Sequence, residues 1–222
     1  FEKKVVDFIV QDQKIISVKT ADGNSFEADA FILATGHSAR DIFELLHQKQ
    51  ILIEAKGFAL GVRIEHPQQL IDSIQYHCPV RGTFLPPASY SLVKQVNERG
   101  VFSFCMCPGG IIAPAATAAG ELVVNGWSPS KRNNPYANSG MVVQVELEDV
   151  IQNSLQGPVG KLKIKNDALV MMHFQQMVEQ NCFNAGGGKF VAPAQRMVDF
   201  SNGITSSSLP ACSYQPGLQS VH

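Results

Sequence analysis

These 222 residues should fold as a β-rich α+β protein, and three features say so. A β-rich meander near the N-terminus runs into a short apolar segment and then a helical pattern. Residues 89–145 alternate at strand spacing, with proline and glycine punctuating each run. One helical period follows over Asp167 to Asn181, closed by Gly186-Gly187-Gly188, which reads as a helix stop and loop. With 45% hydrophobic and 17% charged residues, the chain has the means for one sizeable core, alone or with a smaller satellite.

Each element has a local reason. Lys4 to Val10 and Lys14 to Thr20 are β-rich and joined by Gln11-Asp12-Gln13; Ala21-Asp22-Gly23-Asn24 is a turn signal before a third strand from Ser25 to Ala28. Phe31-Ile32-Leu33 is long enough for a buried strand and too short for an independent helix. It stops at Ala34-Thr35-Gly36, where small residues let a backbone or ligand come close. Ser38 and Asp41 stand at capping-box spacing ahead of Ile42, Leu45 and Leu46, which predicts a helix over residues 39–49. Strand, tight turn and capped helix place free N–H groups and a positive dipole end where a phosphate or cofactor edge can sit.

A boundary is expected near Ala55-Lys56-Gly57, giving domains 1–56 and 57–222. Beyond it, Phe58 to Glu65 reads as a strand, and Pro67 suits the first turn of a short helix with Leu70, Ile71 and Ile74. Strands are expected over Ser89–Val96, Gly100–Met106, Glu121–Gly126 and Met141–Val145. Leu169, Met172, His173, Met177 and Val178 recur at helical spacing. After Phe200 the composition turns to Ser, Pro and Gly, as in a loop.

Several function classes drop out. A net charge of −1 with no basic run argues against a nucleic-acid partner. No segment is long and apolar enough for a membrane span; the tract Ile111 to Ala116 is broken by Pro114. Five irregularly spaced cysteines do not make a secreted disulfide framework, so a reducing cytoplasm is expected. Cys105 and Cys107 have no second Cys pair to complete a zinc site, with only His77 and Cys78 nearby, so no metal is expected. Their spacing of two puts both thiols on one strand face, where they read as buried free thiols. Without a P-loop, metal cluster or Ser-His-Asp spacing, any hard chemistry falls to a cofactor.

The string Phe31 to Asp41 narrows that cofactor. A strand ending in Ala34-Thr35-Gly36 after an acidic hairpin resembles the closing element of the FAD domain in flavoproteins with two dinucleotide-binding folds. The extension Gly36-His37-Ser38-Ala39-Arg40-Asp41 resembles a family of uncharacterised FAD-dependent dehydrogenases, the NAD(FAD)-utilising dehydrogenases. Matches follow at Phe58 to Pro67, Ser103 to Gly110, Asn125-Gly126 and Ala192 to Arg196. The resemblance implies a remnant of an FAD-binding domain (β-meander, strand, capped helix), then a β-rich inserted cap domain with a terminal helix. It also implies FAD, a small-molecule substrate and, as a further option, NAD(P). The Gly-x-Gly-x-x-Gly of such a domain is missing, so the expectation is an internal piece of a longer polypeptide. By itself the piece should be inactive and bind FAD poorly, with the remainder of its own polypeptide or a second copy as partner. The competing reading is a non-catalytic binding or cap module that carries no flavin.

The same resemblance assigns roles to residues. Ala34, Thr35 and Gly36 are expected beside the flavin, with glycine required because a side chain would strike the cofactor. Val5 either meets the adenine through its backbone or is simply core. Ser38 and Asp41 are helix caps in any case. His37 donates a hydrogen bond or relays a proton beside the flavin, and Arg40 faces the cofactor or pairs with Asp41 or Glu44. Cys105, Cys107, Gly109, Gly110, Asn125 and Arg132 are substrate-side candidates, with Ser128 and Gln195-Arg196 as weaker ones. Arg63 and Glu65 share a strand face that is solvated by default and site-facing by resemblance, together with His66. Trp127 is expected in the core.

Overall fold

The structure is a computed structural model that describes residues 1–156, 168–214 and 217–218. It divides into two compact units, residues 1–56 with 150–174 and residues 57–149 with 175–222.

In the first unit β1 (Val5–Gln11), β2 (Lys14–Thr20) and β3 (Ser25–Glu27) form the expected antiparallel meander. Asp12 and Gln13 turn the first hairpin with φ of 48° and 62°, the left-handed pair that suits a two-residue connection. Helix α1 (Arg40–Gln48) lays Ile42 and Leu46 against Phe8, and Val5, Ile15, Val18, Phe43 and Leu45 pack around them. Ion pairs Lys49–Asp7 (2.7 Å) and Lys4–Asp41 (3.2 Å) flank that core.

Two expectations fail here. Phe31-Ile32-Leu33 is not a strand: it pairs with no other strand among the described residues, and Ile32 is 94% exposed. A strand exists only through lateral hydrogen bonds, so apolar patterning without a neighbour leaves an irregular segment. Nor does Ser38 cap the helix. The N-cap is Ala39 without a side-chain bond, the Ser38 hydroxyl lies 3.2 Å from His37 Nδ1, and Asp41 accepts from the Ile42 N–H at 3.0 Å.

In the second unit β4 (Phe58–Pro67), β9 (Tyr136–Val145), β6 (Arg99–Cys107) and β5 (Val93–Val96) form one antiparallel sheet in that order. All ten residues of β4 pair with β9 in unbroken register, from Phe58 opposite Val145 to Pro67 opposite Tyr136. Strands β9 and β6 are the two inner strands of the sheet, and Ala137, Asn138 and Ser139 of β9 are fully buried. Only Val93–Val96 of the expected Ser89–Val96 strand pairs. The β7–β8 hairpin (Ile111–Ala115 with Val123–Trp127) leaves Trp127 57% exposed, not in the core.

Helix α2 (Gln68–Tyr76) follows Pro67 directly, with Ile71 buried while Leu70 and Ile74 stay exposed. Helices α3 (Leu147–Gln156) and α5 (Met197–Ser201) and the strand β7 have no counterpart among the expectations. Helix α4 (Val170–Ala185) runs to the glycine triplet, where Gly187 and Gly188 take φ of 82° and 68°. Its expected start at Asp167 lies outside the described residues. A short parallel pair, β10 (Pro193–Ala194) with β11 (Gly217–Leu218), completes the unit.

Candidate functional site

Several of the substrate-side candidates collect around one turn, Pro108-Gly109-Gly110, between β6 and β7. All three are buried. Gly109 has φ +53°, and a side chain there would overlap the Arg132 carbonyl, so only glycine fits. Its N–H donates to Gln68 Oε1 at 2.7 Å, while Gln68 Nε2 donates to Asp72 Oδ1 (2.8 Å) and the Ala88 carbonyl (2.9 Å). Asp72 also accepts from the Ala88 N–H at 2.8 Å and pairs with Arg81 at 3.0 Å. Ser128 donates to the Pro108 carbonyl at 2.9 Å. The turn is held rigid by buried, satisfied polar groups.

Beside it, β6 bulges. Phe104 lies opposite Gly140 but Cys107 opposite Asn138, so three steps along β6 match two along β9. This extra residue overturns the expectation for the two thiols. Cys105 is exposed at φ +47° and Cys107 half-buried, because a bulge breaks the alternation that would align them. Cys107 Sγ instead lies 3.3 Å from the Cys105 carbonyl, to which it donates.

Arg63 and Glu65 are not on a solvated face. Both are half-buried and bonded: Arg63 Nη1 donates to Asn138 Oδ1 (2.7 Å) and to the Cys105 carbonyl (3.2 Å). Glu65 accepts from the Ser213 N–H at 2.8 Å and from its hydroxyl. Gly126 on β8 backs this group: a side chain there would overlap Arg63 Nη1 and Asn138 Oδ1 and come within 2.8 Å of Cys107 Sγ. Asn138 is wholly buried, yet its Nδ2 has no hydrogen-bond partner among the described residues.

On the other face of β4, His66 Nε2 lies 2.9 Å from the Tyr90 hydroxyl, with ring centroids 5.6 Å apart. Burial holds the His66 imidazole below its ordinary value and pushes the Tyr90 phenol up. Tyr214 is pushed up to about 12, first by burial and then by Cys212 and Glu65.

The other candidates are placed as follows. Ala34, Thr35, Gly36, His37 and Ser38 are exposed, and Arg40 opens α1 half-buried. Gly36 has φ +77°, with no atom within 4 Å of where a side chain would begin. The corner is open to solvent and leaves space for a cofactor edge, and the sequence has no Gly-x-Gly-x-x-Gly turn to hold a pyrophosphate. The side chain of Val5 joins the first unit's core. Asn125 is exposed on β8, and Arg132 is exposed with only its backbone at the Gly109 turn. Gln195 and Arg196 bond within their own loop, to the Ile204 carbonyl and the Ser206 hydroxyl. Gln68, Asn138, Tyr90 and Ser213 were not foreseen. The available signal was a polar pair, Asn138-Ser139, in the middle of an otherwise strand-like run.

Among the described residues no His, Cys, Asp or Glu cluster suits a metal, no helix is long and apolar enough to cross a membrane, and the five cysteines are free. A Clostridium beijerinckii protein described as uncharacterized is 39% identical over 212 residues, 94% of this chain and 37% of its own length. The chain thus spans little more than a third of that relative. Residues 57–222 match the family model described as "FAD-dependent protein, C-terminal domain-like", and the chain belongs to that FAD-dependent family.

Proposed function

We propose that the chain is the central part of an FAD-dependent oxidoreductase of the dehydrogenase type, acting on a small-molecule substrate. The family match over 57–222 carries the reading, and the solvent-open corner at Gly36 supports it. When bound, flavin supplies the redox chemistry by passing hydride at its N5. In this reading Ala34, Thr35 and Gly36 present bare backbone to the cofactor, and His37, exposed beside Ser38, offers a hydrogen bond or a proton route. The rigid Pro108–Gly110 turn, with Cys107 and Arg132 beside it, forms the substrate side.

The test is a chimera in which residues 1–222 replace the matching segment of the clostridial relative. It is expected to purify with flavin absorbance, and Gly36→Val to lose the flavin with unchanged circular dichroism. Full flavin content in Gly36→Val would refute the corner's role. Anaerobic bleaching of the flavin band by NADH or NADPH tests for a nicotinamide partner. The 222-residue chain alone is expected to bind FAD poorly, since it lacks Gly-x-Gly-x-x-Gly.

A further inference from the structure

One half-buried cation in the second unit, Arg63, has no acidic partner among the described residues. Arg63 donates only through Nη1, and only to neutral oxygens, those of Asn138 and Cys105; its Nε and Nη2 donate to no described residue. Next to it lies a fully buried amide whose Nδ2 finds no acceptor among the described residues. The two facts are linked, because the Arg63 bond to Oδ1 fixes the Asn138 amide so that Nδ2 is the orphan. Buried donors are satisfied by protein, water or ligand, and a half-buried guanidinium calls for an anion. Gly126 contributes the absence of a side chain, which alone lets Arg63 and Asn138 occupy this place.

We infer that Arg63 and Asn138 bind the carboxylate of a small monoanionic substrate. A guanidinium fork beside an amide N–H₂ matches two coplanar oxygens, the geometry in which arginine outperforms lysine. Charge selects against phosphate. Glu65 lies on the same strand face, opposite Asn138, so the neighbourhood has no surplus of positive charge for a dianion. Holding the Cys105 carbonyl at the bulge explains Nη1 but leaves Nε and Nη2 without a use. That the carboxylate belongs to a substrate rests on the flavin-linked reading above; the anion site rests on these residues alone and is tested without flavin.

The 222-residue chain, labelled with nitrogen-15, is titrated at constant ionic strength with acetate, lactate, methyl acetate, sodium chloride and inorganic phosphate. The Asn138 side-chain amide and Arg63 Nε–H resonances are followed. Acetate or lactate is expected to shift both saturably, with Kd on the order of 1 mM. Arg63→Lys should weaken binding about tenfold, the loss of one charge-assisted bond, and Asn138→Asp should abolish it by like-charge repulsion. Dispersed spectra check that each variant folds, and the wild-type titration decides even if neither does. Shifts no larger than those from chloride or methyl acetate overturn the site. Tighter binding of phosphate than of either carboxylate overturns the ligand class.

Discussion

Replacing Gln68 by alanine would cut three bonds at once. The Gly109 N–H would lose its acceptor at 2.7 Å, and Asp72 and the Ala88 carbonyl would lose a shared donor. Gln68 is only 4% exposed, so water does not freely replace it. A buried N–H left unpaired costs about 1–3 kcal/mol, and a hydrogen bond to a charged group is worth about 1.5–3 kcal/mol. Asp72 keeps its bonds to the Ala88 N–H and Arg81, which softens the second loss. The net expectation for Gln68→Ala is a destabilisation of about 3–4 kcal/mol, a large share of the roughly 5–15 kcal/mol that holds a domain together. Gln68→Glu, nearly the same in shape, should be worse near neutral pH, because it sets a carboxylate oxygen against Asp72 and the Ala88 carbonyl. Acid should recover part of that loss by protonation. Urea unfolding gives the magnitude, and hydrogen exchange at the Gly109 amide locates it. An unchanged unfolding midpoint together with an unchanged Gly109 exchange rate would refute the reasoning.

Other outcomes follow from the same geometry. Gly109→Ala drives a side chain into the Arg132 carbonyl at φ +53° and should unfold or strongly destabilise the second unit; Gly36→Ala, in open space, should cost only about 1–2 kcal/mol for its left-handed backbone, as thermal melts of the pair will show. Because burial lowers the folded-state pKa of His66, the unfolded chain binds more protons just below the ordinary histidine value of about 6.5. Stability should therefore fall as pH drops through that value, and His66→Gln should flatten the slope of melting temperature against pH. Tyr214, pushed up to about 12, should ionise last in an ultraviolet titration, with folding weakened above about pH 10, where only the unfolded phenol ionises. Tyr214→Phe should remove that late step; its persistence would place the late phenol elsewhere.

The meander, α1 and α2 could be read from sequence because their signals are local: β-rich runs around Asp12-Gln13, helical spacing of Ile42 and Leu46, and Pro67 before Gln68. Phe31–Leu33 carries an equally clear apolar signal and still forms no strand, since strand pairing depends on a neighbour that local pattern does not report. The same limit hid the site's key contacts. Cys105 and Cys107 look aligned at spacing two, but a single bulge residue separates their environments. Gln68 looks like an ordinary helix-start glutamine, and only the fold brings the Gly109 N–H to it from forty-one residues away.

Sequence alone determined that this chain is α+β and that its motifs belong with an FAD-dependent family. Those properties are sums over composition and short strings. Tertiary structure decided that Arg63 meets Asn138 rather than water, that Gly126 backs them, and that Asn138 keeps one buried donor unspent. Such contacts depend on the register between β4, β9 and β6, and a one-residue slip there would send every one of these side chains to the opposite face.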